Sequence, residues 1–330
     1  MGNLERATLI DLLIYRSMTA RRSKIFVSRR TSKVNRSKRL GLKWKTILII
    51  FLFLGFFFYL SFNTKYWTGN NKLNIASPLN GSLALYIFDP VAGKIITLTI
   101  PGDTELESAR NLGVFRAKNL WQLSINEKAQ GVLVGETITR NFNIPTIAWA
   151  EKPIAGFASG RGLAQLKALV TPFKTNLSFA DKLRLFFFGL GVSEFKVENV
   201  NLAESGLLIN AKLIDGGEGY KVTSRIPDQV LVLASDYYFT HSQTVINIID
   251  ASGDVRVIED FTRVVEAMGA KVVKIEKTQD ADMNCEVSGK DERKVQRVAM
   301  IFGCKSLGNN GFNGNFDLQI KLGEGFAKSF

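Results

Sequence analysis

The sequence predicts a mixed α/β protein, grading into α+β, with one N-terminal transmembrane helix followed by two small extracytoplasmic α/β units. Three observations predict this. The nineteen-residue uncharged stretch Thr46–Thr64 is apolar all round rather than along one face. Beyond it, short β-rich runs interleave with amphipathic segments, which is how strands and helices of a mixed fold read. The chain has 330 residues with 46% apolar content, enough for about two ordinary cores, which excludes wholesale disorder. Two cysteines exclude a disulfide-dense scaffold, and a single histidine excludes a multi-histidine metal centre.

The net charge of +13 belongs to one end of the chain. Residues 1–45 hold 13 Lys and Arg against Glu5 and Asp11, whereas the remaining 285 residues hold 30 bases and 28 acids. At about 1.5 Å per residue, residues 46–64 as a helix reach about 28 Å, close to the hydrocarbon thickness of a bilayer. Trp44 on one side and Tyr66-Trp67 on the other suit the interfacial belts. Arg21–Lys45 carries eleven bases and no acid, which keeps the N-terminus cytoplasmic and places the bulk of the chain outside the membrane. No small-x-small site follows the apolar stretch, so it reads as a signal anchor rather than a cleaved leader. The basic tail, residues 1–45, is expected to meet anionic lipid headgroups. Nucleic acid is not an expected partner, since the tail has few aromatics on which bases would stack.

Residues 65–80 read as a tether, polar over Asn70–Asn80. Leu83–Asp89 and Lys94–Ile100 read as strands joined by the turn Asp89-Pro90-Val91-Ala92-Gly93, a hairpin. Helices are expected over Gly131–Asn143 and Arg161–Val170, and a third from Phe179 to about Phe188. Ser178 would cap that third helix, and Gly189 and Gly191 would stop it. Its apolar end reads as core, with membrane or partner contact as the other option. Phe195–Val200, Leu207–Leu213 and Tyr220–Arg225 read as strands, with Asp215–Gly219 as a turn that lacks the ligand series of a calcium loop. These segments make a unit over 81–235.

The second unit, 243–330, is the better defined. Val245–Asp250 is a β run, and apolar residues at 255, 258, 261, 264, 265 and 268 make an amphipathic helix closed by Gly269. Strands Lys271–Ile275 and Asn284–Val287 follow, then a helix burying Val295, Val298, Ala299 and Phe302 and closed by Gly303. The loop Gly308–Asn315 leads to a last strand, Phe316–Leu322. The order β-α-β-β-α-β describes a two-layer domain. Cys285 and Cys304 bracket its second helix, and outside the cytoplasm two such cysteines are expected to bridge.

Ile246-Asn247-Ile248-Ile249-Asp250-Ala251-Ser252-Gly253, Met268-Gly269-Ala270-Lys271-Val272-Val273 and Leu322-Gly323-Glu324-Gly325-Phe326 resemble, in that order, the LytR C-terminal domain family. This domain commonly follows a membrane-anchored LytR–CpsA–Psr domain, whose members transfer glycopolymers from polyprenyl-pyrophosphate carriers to the cell wall. Residues 81–150 resemble a shortened, degenerate form of that domain: Phe88-Asp89-Pro90, then Ile95–Ile100 into Pro101-Gly102-Asp103-Thr104, with Phe115-Arg116-Ala117 and Asn143-Ile144-Pro145 as later landmarks. Gly102 stands where the family places an arginine for the pyrophosphate, and Gly81-Ser82 where it has an acid near the metal. The resemblance implies a bacterial cell-envelope location.

Asp103, Arg110, Arg116 and Arg140 are the candidate site residues, since pyrophosphate transfer needs cations and usually a divalent ion. The first reading is a non-catalytic, membrane-anchored envelope protein that binds cell-wall polymer, lipid-linked precursor or a protein partner, with no cofactor. The alternative is a divergent glycopolymer phosphotransferase using Asp103 and those arginines, with Mg as its cofactor. A third is an envelope-related transcriptional regulator. His241, at the boundary between the units, is singled out by no sequence-local serine–acid arrangement and reads as a linker or surface residue.

Overall fold

The computed structural model describes residues 37–62, 64–223, 226–279, 281–309, 312 and 314–330. Residues 1–36 of the basic tail lie outside them. Helix α1, Ser37–Phe62, is 26 residues long, and its described side chains from Ile47 to Leu54 are exposed. Among the described residues no helix is long and apolar enough to cross a membrane. The anchor expected over 46–64 includes positions 57 and 60–63, whose side chains lie outside them.

The first α/β unit is built on a five-stranded mixed sheet in the order β6-β1-β2-β3-β7. Its strands are β1 (Leu73–Leu79), β2 (Ser82–Asp89), β3 (Lys94–Ile100), β6 (Ala148–Trp149) and β7 (Val197–Asn201). β1, β2 and β3 pair antiparallel, and β6 and β7 join the edges in parallel. β2 has a near-continuous apolar run because it lies in the middle and is covered on both faces. Leu83, Leu85 and Ile87 enter one core with α2 (Ala117–Asn126) and α3 (Val132–Phe142). Ala84, Tyr86 and Phe88 enter another with α4 (Gly162–Val170) and α5 (Phe179–Gly191). Two corrections to the sequence reading fall here. The segment expected as a tether contains β1, with Leu73, Ile75 and Ala76 fully buried. Trp67, expected at the bilayer interface, is 2% exposed and donates its indole N–H to the Asn71 carbonyl at 2.6 Å.

A second, four-stranded sheet, β5-β4-β9-β8, lies at one end of this unit. It is formed by β4 (Thr104–Glu107), β5 (Val114–Arg116), β8 (Leu208–Lys212) and β9 (Glu218–Val222). Positions 224 and 225, expected at the end of the last of these strands, lie outside the described residues.

Two short helices, α6 (Asp228–Ala234) and α7 (Tyr237–Thr240), lead into the C-terminal unit. Its sheet runs β11-β10-β14-β12-β13, made of β10 (Val245–Ala251), β11 (Lys271–Lys277), β12 (Cys285–Gly289), β13 (Lys305–Gly308) and β14 (Leu318–Gly323). α8 (Val255–Ala267) and α9 (Glu292–Phe302) contribute Phe261, Val264, Val295 and Val298 to one core against the sheet. Cys285 and Cys304 are joined, with their Cα atoms 4.7 Å apart. The Leu322–Phe326 signature is not all strand: β14 stops at Gly323, and Glu324–Ser329 is a helix, α10, whose Phe326 turns back into the core. The two α/β units keep separate cores but belong to one compact body from Gly55 to Phe330.

Candidate functional site

The turn after β3 delivers Asp103 to the end of β4, and β5 ends on Arg116, which is also the N-cap of α2. Arg116 Nη1 donates to Asp103 Oδ1 at 2.7 Å, and Lys118 Nζ reaches the same oxygen at 2.7 Å. The other edge of the Arg116 guanidinium is taken by Asp215, with Nε and Nη2 each 2.8 Å from a carboxylate oxygen. These contacts hold the carboxyls of Asp103 and Asp215 below the ordinary aspartate range and raise the pKa of Arg116. The sequence placed Asp215 in a turn, which it occupies, but gave no sign of a partner 99 residues away.

Gly102 explains why the neighbourhood is shaped this way. A Cβ built on it would lie 1.8 Å from the Gly81 carbonyl oxygen and 3.2 Å from Lys118 Cβ. Gly81 itself has φ +69°, a conformation L side chains rarely adopt. Gly102 therefore has no room for a side chain, whereas Gly81 has open space around it but a backbone conformation that disfavours one.

The other two candidates are held elsewhere. Arg110, at φ +62° on a short turn, makes a bidentate pair with Glu136 of α3 at 2.8 and 3.0 Å. Arg140, on the same helix and 8% exposed, bonds Asp260 of α8 at 3.0 Å and Glu107 of β4 at 3.1 Å. Asp103 and Arg116 are thus brought together, while Arg110 and Arg140 serve different carboxylates. His241 ends α7, exposed, with its ring stacked on Tyr237.

A magnesium ion does not fit the residues present. Asp103 Oδ1 already accepts from two cations, and both oxygens of Asp215 are engaged by Arg116. Among the described residues no three His, Cys, Asp or Glu side chains gather as a metal site.

A cleft of about 220 Å³ opens between the units. Gly135, Glu136, Thr139 and Trp149 line one wall, and Phe302 and Phe330 the other. Burial raises the pKa of Glu136 despite Arg110, and the buried Trp149 Nε1–H has no acceptor among the described residues.

No protein-family model and no curated protein matches the chain. Similar solved structures include Bacillus subtilis TagV, 11% identical with a TM-score of 0.36, covering 50% of this chain and 95% of that one. A second is B. subtilis TagT, described as a LytR-CPS2A-psr family protein with bound octaprenyl pyrophosphate lipid, 13% identical with a TM-score of 0.35, covering 50% and 90%. A transcriptional regulator from Enterococcus faecalis is 10% identical at 0.36, covering 63% and 92%. At these values no activity and no residue's role carries over.

Proposed function

We propose that this protein is a single-pass envelope protein of LytR–CpsA–Psr type. Its tail is cytoplasmic, its helix 46–64 sits in the bilayer, and its outer body binds a lipid-linked cell-wall precursor without turning it over. The observation that carries the non-catalytic part is the Gly81–Gly102 contact. At Gly102, where the resemblance puts an arginine for the pyrophosphate, a side chain would meet the Gly81 carbonyl oxygen. The four candidate residues add to this, since each is already paired with an opposite charge. A transition state gathering negative charge needs cations free to meet it. The nearly all-round exposure of the apolar side chains on α1, together with the basic flank before it, supports the membrane part.

The second reading, a phosphotransferase, is favoured by one feature: Arg116 and Lys118 converge on the half-exposed Asp103. A titration of the full chain in nanodiscs with a fluorescent polyprenyl-pyrophosphate glycan separates the two. Saturable binding without product is expected. Turnover abolished by Arg116→Ala would overturn the proposal in favour of the transferase, and absence of binding would overturn the carrier-binding half of it.

A further inference from the structure

α4 and α5 pack on each other through Leu169, Leu183 and Phe186 and leave an apolar stripe on each helix uncovered. On α4 the stripe is Leu163, Leu166 and Val170, at i, i+3 and i+7, with Leu163 86% and Val170 70% exposed. On α5 it is Phe179, Phe187 and Leu190, all at least half exposed, and Phe195 just beyond is 98% exposed. A patch of this kind marks a surface that something covers.

The same segment is the basic part of an otherwise balanced body. Between Arg161 and Leu190 lie five bases, Arg161, Lys167, Lys174, Lys182 and Arg184, against one acid, Asp181. Asp181 is fully buried, and its carboxylate is occupied by backbone N–H groups. Those groups locate the patch. Asp181 accepts from the backbone N–H of Lys65, Tyr66 and Trp67 at 3.1–3.3 Å, and Arg184 donates to the Thr68 carbonyl. α5 therefore grips the chain three residues after α1 ends at Phe62, a reach of at most about 11 Å.

We infer that the α4–α5 hairpin lies in the interface of an anionic bilayer. Its apolar stripes enter the headgroup–acyl boundary and its lysines and arginines meet lipid phosphates. The inference rests on the proposed membrane anchor, because the anchor is what brings the grip at residues 65–68 to the bilayer surface. It adds a second, peripheral attachment that holds the body against the membrane instead of letting it swing on a tether.

The test uses the full chain in nanodiscs containing phosphatidylglycerol, with single substitutions Leu163→Cys, Leu190→Cys, Phe195→Cys and, as a control on the C-terminal unit, Val273→Cys. Each is labelled with an environment-sensitive fluorophore, the native pair being bonded to each other. Brominated acyl chains are expected to quench the first three at least twofold more than the control, and less so in discs of phosphatidylcholine alone. Equal quenching at all four positions in discs that carry the protein would overturn the docked hairpin and leave the anchor standing. Failure of the chain to enter discs at all would overturn both. Label–label quenching that rises with protein copies per disc would assign the patch to a second copy instead.

Discussion

At the residue scale, the packing beside Asp103 comes down to Gly102. Its backbone does not need positive φ, so the cost of a side chain there is steric. Gly102→Ala is expected to lower stability by about 2 kcal/mol or more, since a methyl 1.8 Å from a carbonyl oxygen forces the β1–β2 turn away. Urea unfolding measures it, and an unchanged midpoint would remove the steric argument. Arg116 supports a second prediction. Asp103 and Asp215 have folded pKa values below 3.8, so what they add to stability is present above that value and is lost as pH falls through the folded pKa. In Arg116→Ala both carboxyls should titrate nearer 3.8, as carbon-13 NMR of the aspartates would report. None of this coupling was legible in the chain: Asp103 and Arg116 stood out because of the resemblance, while Lys118 and Asp215 are ordinary charges until β4 and β9 align.

At the element scale, local signals were read well where the element is held by local chemistry. Ser178 caps α5 and forms a reciprocal box with Asp181, as a Ser followed three residues later by an acid predicts. The strand over Lys94–Ile100 and the amphipathic helix from Val255 also stand where the apolar periodicity put them. β1 was missed because Asn74, Ser77 and Pro78 interrupt its apolar run. Burial of Asn74 is offset by its amide donating to the Pro145 carbonyl, a contact across 71 residues that no local pattern announces. α2 was missed for a different reason: only Ala117, Leu120 and Ser124 are buried, too sparse an apolar face to read. Asp181→Ala should expose what the sequence hid. Loss of the reciprocal half of the capping box and of three long-range bonds is expected to cost about 2 kcal/mol and to speed amide exchange at residues 65–67. Exchange there unchanged from the parent protein would mean that the grip on the tether lies elsewhere. Reduction of the Cys285–Cys304 bridge, which closes a separation of 19 residues, is expected to cost about 3 kcal/mol in the chain-entropy model.

At the scale of the whole molecule, arginines fasten the two units together. Arg140 of the first unit bonds Asp260 of the second, and Arg297 of the second bonds Asp236 at 2.8 Å and the Lys72 carbonyl at 2.8 Å. Removing one partner of a buried pair leaves the other charge stranded, so Arg140→Met should destabilise by about 2–3 kcal/mol, moderated because Asp260 keeps Arg263. If the clamp is what makes the body cooperative, that variant should melt in two steps by calorimetry where the parent melts in one. The clamp was not legible in the sequence, because a charged residue's partner depends on how finished sheets and helices meet.

The measurement that tests the central claim most directly is phosphorus-31 NMR of the full chain in nanodiscs with a polyprenyl-pyrophosphate glycan and magnesium. The account predicts that the diphosphate resonances broaden on binding but persist. Their conversion to polyprenyl monophosphate at a rate that falls in Asp103→Ala or Arg116→Ala would contradict it.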